Sequence, residues 1–239
     1  MLHRTEGIVL KTFPYGEADL IVTYLTGEYG VLRAFAKSPR KIKSRFGSSL
    51  EPLTHARIAF WGKEDAALPR LTQSDIIHPF HTVRSSLKCF LRASEMIELT
   101  LHFVPERDAN TRVYTLLMKT LRVMEGDCEE RLLPVYYKLK LLEITGYLPR
   151  LHSCGRCGRK GDAFYLSHGT VLCEGCAAGY ESSFGLSAGV SSLYASLLGW
   201  DPAKLDRLKP SEFLITELLT VLDEHVRYIT EKNLKATAF

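Results

Sequence analysis

Long apolar runs are missing from this sequence. No stretch of its 239 residues approaches the roughly 18 to 20 apolar positions that span a bilayer. The opening MLHRTEGIVLK breaks its apolar residues with charges and has no signal-peptide h-region. The expectation is a cytoplasmic protein with no membrane partner. Equally absent are a Walker loop, an H-E-x-x-H pair, a dinucleotide fingerprint and a calcium loop. GLSAG at 185–189 does match G-x-S-x-G, but a nucleophile elbow must follow a buried strand and AAGYESSF is none. Ser187 reads instead as the N-cap of a helix over AGVSSLYASLLGW. With no catalytic motif left, the chain is not expected to be an enzyme. There is no internal repeat and no low-complexity tract. Cysteine is scarce, at six residues, and in a reducing compartment six cysteines rarely form a disulfide frame. Clustered cysteines then ligate metal or do redox work.

Negative charge is missing from one segment. RAFAKSPRKIKSRFG, residues 33–47, carries Arg33, Lys37, Arg40, Lys41, Lys43 and Arg45 and no acid. Those six cations exceed the net excess of four in the whole chain, 31 Lys plus Arg against 27 Asp plus Glu. The positive charge is therefore local, as at an anion-binding surface.

What is present divides by period. Residues 1–80 read as five short strands, GIVLKTF, ADLIVTYLT, GVLRAFAK, HARIAFW and LTQSDII, enough for a small barrel. TGEYG places Gly27 and Gly30 where a hairpin turn needs positive φ. After HPFH the apolar spacing changes to 3.6. Val113, Leu116, Leu117 and Leu121 form one stripe, Leu132, Val135, Leu139 and Leu142 a second, Leu214, Leu218, Val221 and Leu222 a third. The expected class is multi-domain α+β. A barrel domain occupies 1–80, a helical domain occupies 81–239, and an insertion at 150–180 lies within the latter.

CGRC at 154–157 and CEGC at 173–176 form two C-x2-C pairs separated by fifteen residues. That spacing lets Cys154, Cys157, Cys173 and Cys176 close a tetrahedron around one structural Zn2+, at about 2.3 Å per thiolate. Glycines 155, 158 and 175 suit its tight turns, and AFYLSHGTVL suits the hairpin of a zinc ribbon. A redox pair and a metal-free knuckle are the alternatives, and His152 or His168 could replace one cysteine. Cys89, in LKCFL, and Cys128 have no partner at ligand spacing, and Cys89 reads as a small core residue. His225 follows the apolar side of the last helix and reads as a core histidine.

If VLRAFAK is a strand, alternation puts Arg33, Phe35 and Lys37 on one face and Leu32, Ala34 and Ala36 on the other. Cations flanking a ring suit a single strand of nucleic acid, because charge tracks phosphates while the ring stacks a base. Arg40, Lys41, Lys43 and Arg45 add a basic loop, with Phe46 as a second ring. A solvated face with one incidental Phe is the competing reading.

YGEADLIVTYLTGEYGVL with AKSPRKIKSRFGSSLEPLT, then YKLKLLEITGYLPRLHSCGRCG, then EHVRYITEKNLKA together resemble the RecO family of bacterial recombination mediators. The resemblance implies an N-terminal OB-fold, a helical domain and a zinc-finger-like insertion. It implies binding of single- and double-stranded DNA, annealing of complementary strands, and assembly with RecR to load RecA onto DNA coated with single-strand-binding protein, hence a nucleoid-associated location. It further implies that the helical domain docks the C-terminal tail of single-strand-binding protein. Arg112, Lys119 and Arg122 share one helix side and are the residues assigned to that contact, against the plainer reading of a solvated basic stripe. Two other classes remain open from the residues alone: an RNA-binding OB-fold and zinc-ribbon factor of translation or transcription, and a protein-binding adaptor whose basic loop is incidental.

Overall fold

The period-2 alternation of the first eighty residues becomes β1 (Leu2–Tyr15), β2 (Asp19–Thr26), β3 (Gly30–Ala36), β4 (His55–Trp61) and β5 (Arg70–His78) in the computed structural model. It describes residues 1–39, 46–63, 66–161, 163–180 and 184–236, with side chains through residue 231. The strands close a barrel in the order β1-β2-β3-β5-β4. All neighbours are antiparallel except β3 and β5, whose parallel pairing of Phe35 with Arg70 and Ala36 with Leu71 completes the ring. β1 is long enough to serve two partners: residues 7–15 pair with β2 and residues 2–8 with β4, the register shifting between Val9 and Lys11. Closure leaves no open sheet edge, and five strands in this order make an OB-fold.

The inward positions pack as one cluster that includes Val9, Val22, Tyr24, Leu32, Ala34, Ala36, Ile58, Phe60 and Leu71. Phe46 belongs to it as well, 3% exposed at the start of the 3-10 turn Gly47–Leu50. It therefore plugs the barrel and offers no ring for stacking, which corrects the sequence reading. Of the two turn glycines only Gly30 takes a left-handed φ, +59°. A Cβ there would lie 2.0 Å from the carbonyl oxygen of Asp108, so both the dihedral and the space demand glycine.

Asp108 belongs to a connection that packs against the barrel. It links α2 (Leu87–Phe103) to α3 (Thr111–Gly126), after the single turn α1 (His81–Ser85). Within it the Arg107 amide donates to Val31 at 3.0 Å, while Thr111 Oγ1 donates to the Gly27 carbonyl at 3.1 Å. Lys11 of β1 pairs with Glu98 of α2 at 2.5 Å. The chain accordingly falls into compact units of Met1–Glu129 and Glu130–Phe239, a division later than residue 80 because α1, α2 and α3 group with the barrel. α3 buries the expected Val113, Leu116, Leu117 and Leu121, and Asn110 accepts from the Val113 amide at 3.1 Å as its N-cap. Cys89 is buried but not solitary: it forms a disulfide with Cys128, 39 residues on, at a Cα–Cα distance of 5.5 Å. The sequence reading of Cys89 as a small core residue holds for its burial but does not include this pairing. The packing of α2 on α3 brings together two residues that no sequence spacing relates.

In the second unit α4 (Leu132–Thr145) buries Leu132, Leu133, Val135, Tyr136, Tyr137, Lys138, Leu139, Leu141 and Leu142, most of its circumference. It is the central helix, packed by α6 (Ala188–Gly199) and α7 (Glu212–Ala236). Lys138, 4% exposed, is paired with Asp223 of α7, as a buried cation requires. Between α4 and α6 lies a small module of β6 (Ala163–Tyr165), β7 (Thr170–Leu172), the short α5 (Glu174–Ala177) and β8 (Phe184–Gly185). Its sheet order is β7-β6-β8. Among the described residues no helix is long and apolar enough to cross a membrane.

Candidate metal centre and nucleic-acid interface

The small module is held by its cysteines together with buried apolar side chains, among them Leu151, Phe164 and Val171. Its buried cluster consists of Cys154, Tyr165 and Leu172, with Ala163, Cys173, Cys176 and Ala177 packed on it. Cys154 and Cys157 flank a turn in which the Gly158 amide donates to the Cys154 carbonyl at 2.9 Å and the Cys154 amide to Arg159 at 2.7 Å. Gly158 takes φ +74° to allow it, and a Cβ on Gly155 would strike Thr170 at 2.6 Å. Gly175 has neither constraint and sits inside α5 with open space around it, so its expected turn role is absent. Cys173 caps α5 and Cys176 lies within it, the Cys176 amide donating to Cys173 at 2.9 Å. β6 and β7 form the expected hairpin, pairing Ala163 with Leu172 and Tyr165 with Thr170.

All four sulfur atoms lie within 4.8 Å of one another, and Cys157 Sγ is 3.5 Å from Cys173 Sγ. Four thiolates at about 2.3 Å around one ion are about 3.8 Å apart, so the cluster fits a tetrahedral metal such as zinc. Backbone N–H donation, first from Cys173 and then from Cys157 and Arg156, lowers the Cys154 thiol to about 6. Hydrogen bonding to the Cys157 and Cys173 thiols raises Cys176 to about 12. Thiols hydrogen-bonded to one another in this way are a set whose protons a divalent cation can displace together. Neither histidine belongs to the cluster among the described residues: His168 packs against Tyr180 instead, and His152 is exposed. His225 is a core residue, 6% exposed, its Nε2 bound to the Tyr147 carbonyl at 2.9 Å. Burial lowers its pKa.

The basic strand face is also where alternation puts it. Leu32, Ala34 and Ala36 are buried, Arg33 and Lys37 are exposed, and Phe35 is half-buried. Arg33 carries an ion pair with Glu106 at 3.6 Å. Arg40, Lys41, Lys43 and Arg45 lie outside the described residues. Strand register then adds residues that the sequence reading missed. Lys11, Thr23 and Arg33 align in one row, and Phe13, Ile21 and Phe35 in the next, with Tyr15 opposite Asp19 beyond them. The second row continues around the barrel from Phe35 to Arg70 and from Arg70 to Trp61. Phe13, Tyr15 and Trp61 are more than half exposed, and Tyr15 meets Phe35 edge to face at 5.8 Å. Alternation in HARIAFW does place Trp61 outward, whereas Phe13 shares the parity of the inward Val9 and is turned outward by the register shift between Val9 and Lys11. Only the register, and the parallel closure of β3 on β5, puts them in line with Phe35.

Arg112, Lys119 and Arg122 are all exposed on α3, spaced so that they share its outward side. α3 groups with the barrel unit and not with the helical unit. Ser187 does precede α6, but its hydroxyl donates to Glu217 at 2.7 Å instead of capping. The strand before it, β8, is two residues long, so nothing resembles a nucleophile elbow.

A closed OB-fold barrel with an outward file of rings and cations, on the same chain as a helical unit carrying a four-cysteine knuckle, defines a multi-domain α+β protein of the OB-fold class. Comparison with known proteins narrows this. Residues 1–80 match the family model described as Recombination protein O N terminal, and residues 84–238 match Recombination protein O C terminal. The chain is 42% identical to the DNA repair protein RecO of Thermodesulfovibrio yellowstonii, covering 99% of this chain and 100% of that one. Its identity to the protein of the same name from Dehalococcoides mccartyi is 30%, over 98% and 92% of the two chains. For that of Frankia casuarinae it is 38%, over 84% of each. The chain belongs to the Recombination protein O family, as the resemblance of its sequence segments implied.

Proposed function

We propose that this chain is a non-enzymatic DNA-binding mediator of recombinational repair, with residues 1–80 as its nucleic-acid module and a structural zinc ion in the 150–180 insertion. The observation that carries this is the outward file of Phe13, Phe35 and Trp61, interleaved with Arg33, Lys37 and Arg70. Rings stack on base faces while cations neutralise phosphates. Base faces so occupied leave the Watson–Crick edges free for a complementary strand, so this mode of binding favours annealing. Family membership and the relatives' shared name, DNA repair protein RecO, support the same reading. In it the chain binds single- and double-stranded DNA, works with RecR and single-strand-binding protein to help load RecA, and acts at the nucleoid in the cytoplasm. The test is annealing of complementary strands already coated with single-strand-binding protein. The chain is expected to accelerate it; no acceleration at any salt concentration overturns the mediator reading.

The α3 stripe is the proposed dock for the acidic, apolar-ended tail of single-strand-binding protein, its cations pairing with tail carboxylates. Exchanging Arg112 and Lys119 together for Glu is expected to weaken tail-peptide binding at low salt. By fluorescence anisotropy, an affinity equal to wild type removes α3 from the contact.

A further inference from the structure

Three segments of the cysteine module converge on one exposed cation–ring cluster that metal binding does not use. Arg156 comes from the turn between the first two cysteines, His168 from the 3-10 turn between β6 and β7, and Tyr180 from the residues just after α5. The Arg156 guanidinium carbon lies 4.9 Å from the Tyr180 ring centroid, and its Nη2 donates to Tyr180 Oη at 2.6 Å. The same nitrogen is 3.4 Å from His168 Nε2. His168 meets the Tyr180 ring edge to face at 4.7 Å, while Ser167 Oγ lies 2.9 Å from its Nδ1. The cluster faces solvent: Tyr180 is 42% exposed, and Arg156 and His168 are exposed too. Around it, residues 150–161 hold Arg150, Arg156, Arg159 and Lys160 and no acidic side chain, all four cations being exposed.

Four thiolates around a divalent cation carry two net negative charges, and nearby cations offset them. That accounts for basic residues beside the knuckle. It does not account for a guanidinium and two rings gathered on the outer surface, since charge compensation needs no exposed aromatic. Planar guanidinium and aromatic faces together are what unstacked bases pack on, with flanking cations for the phosphates.

We propose that Arg156, His168 and Tyr180 form a second single-strand nucleic-acid site, flanked by Arg150, Arg159 and Lys160 as phosphate contacts. It rests on the reading of this chain as a DNA binder and extends it. Annealing brings two strands to one protein, and the barrel face and the cysteine module supply one site each. The module holds its strand by stacking and charge, without reading sequence.

Two-strand capture on the full chain tests this. One strand is immobilised, protein is added, and a labelled non-complementary strand follows. Wild-type protein is expected to retain both. Arg156→Ala with Tyr180→Ala is expected to lower retention of the second strand about tenfold, with first-strand affinity and metal content unchanged. Tyr180→Phe keeps the ring and is expected to retain the strand. Arg159→Ala with Lys160→Ala is expected to flatten the salt dependence of capture by about 1.4 log units, at about 0.7 per phosphate contact. Second-strand capture unchanged in the Arg156 and Tyr180 variant overturns the inference, as does a loss of capture in step with a loss of bound metal. Wild-type protein that holds the first strand but never the second defeats this site alone; protein that holds neither defeats the DNA-binding reading itself.

Discussion

Cys154→Ser is expected to unfold residues 150–180 while leaving the barrel unit folded. The module's sheet is built from β6 and β7 at three residues each and β8 at two, and its buried cluster has three members. Even with the buried Leu151, Phe164 and Val171 added, at about 1.5 to 3 kcal/mol per fully buried side chain, apolar burial does not offset the cost of ordering some thirty residues at roughly 1 to 2 kcal/mol each for the backbone. A structural zinc site supplies on the order of 10 kcal/mol of binding free energy that is also local folding free energy. Cys154 is the most buried of the four cysteines and sits at the centre of the cluster, so its loss removes both a ligand and a core contact. Protein purified without chelators should carry one zinc per chain. The variant should lose it and become cleavable within 150–180, while the barrel unit keeps its melting transition. Elemental analysis that finds no metal in the unchanged protein removes the site.

Local pattern revealed each part of this protein that a single element determines by itself. The five strands are alternating runs between turn residues. The helical stripes at Val113 and Leu132 follow from period 3.6. The cysteine knuckle is encoded in two short spacings, so its four sulfur atoms meet as the sequence requires. Contacts fixed by tertiary packing were not visible. Phe46 follows a charged run and looks like a loop residue, yet the barrel needs a plug and takes it. Cys89 and Cys128 are related only by the packing of α2 on α3. The aromatic file is an intermediate case: alternation shows Phe35 and Trp61 pointing outward, but Phe13 depends on the register shift after Val9, and no strand shows which residues on its neighbours stand beside its own. That depends on the closure of β3 on β5, a parallel contact of two residue pairs that carries no sequence signal of its own.

The register gives the strand face a test with two separable readouts. Phe35→Ala is expected to weaken single-strand binding by roughly 1 to 3 kcal/mol, the usual range for a lost base stack, and to leave the salt slope nearly unchanged. Phe35 also meets Tyr15, so part of any effect could be a loosened strand. Phe13→Ala controls for this: Phe13 stands in the same row, is 53% exposed, and its removal should weaken binding in the same sense with little change in melting temperature. Lys41→Ala with Lys43→Ala should act in the opposite way. Each neutralised phosphate contributes about 0.7 to the slope of log affinity against log salt, so losing two contacts flattens it by about 1.4. The loss should be similar across base sequences, because phosphate contacts carry no sequence information. Arg33 is a weaker probe than either lysine, since its pairing with Glu106 must loosen before it can meet a phosphate. A salt titration of single-strand binding for wild type and the three variants decides the matter. An unaltered slope in the Lys41 and Lys43 variant, together with unaltered affinity in both phenylalanine variants, would leave the barrel face a solvated surface and move the DNA contact elsewhere on the chain.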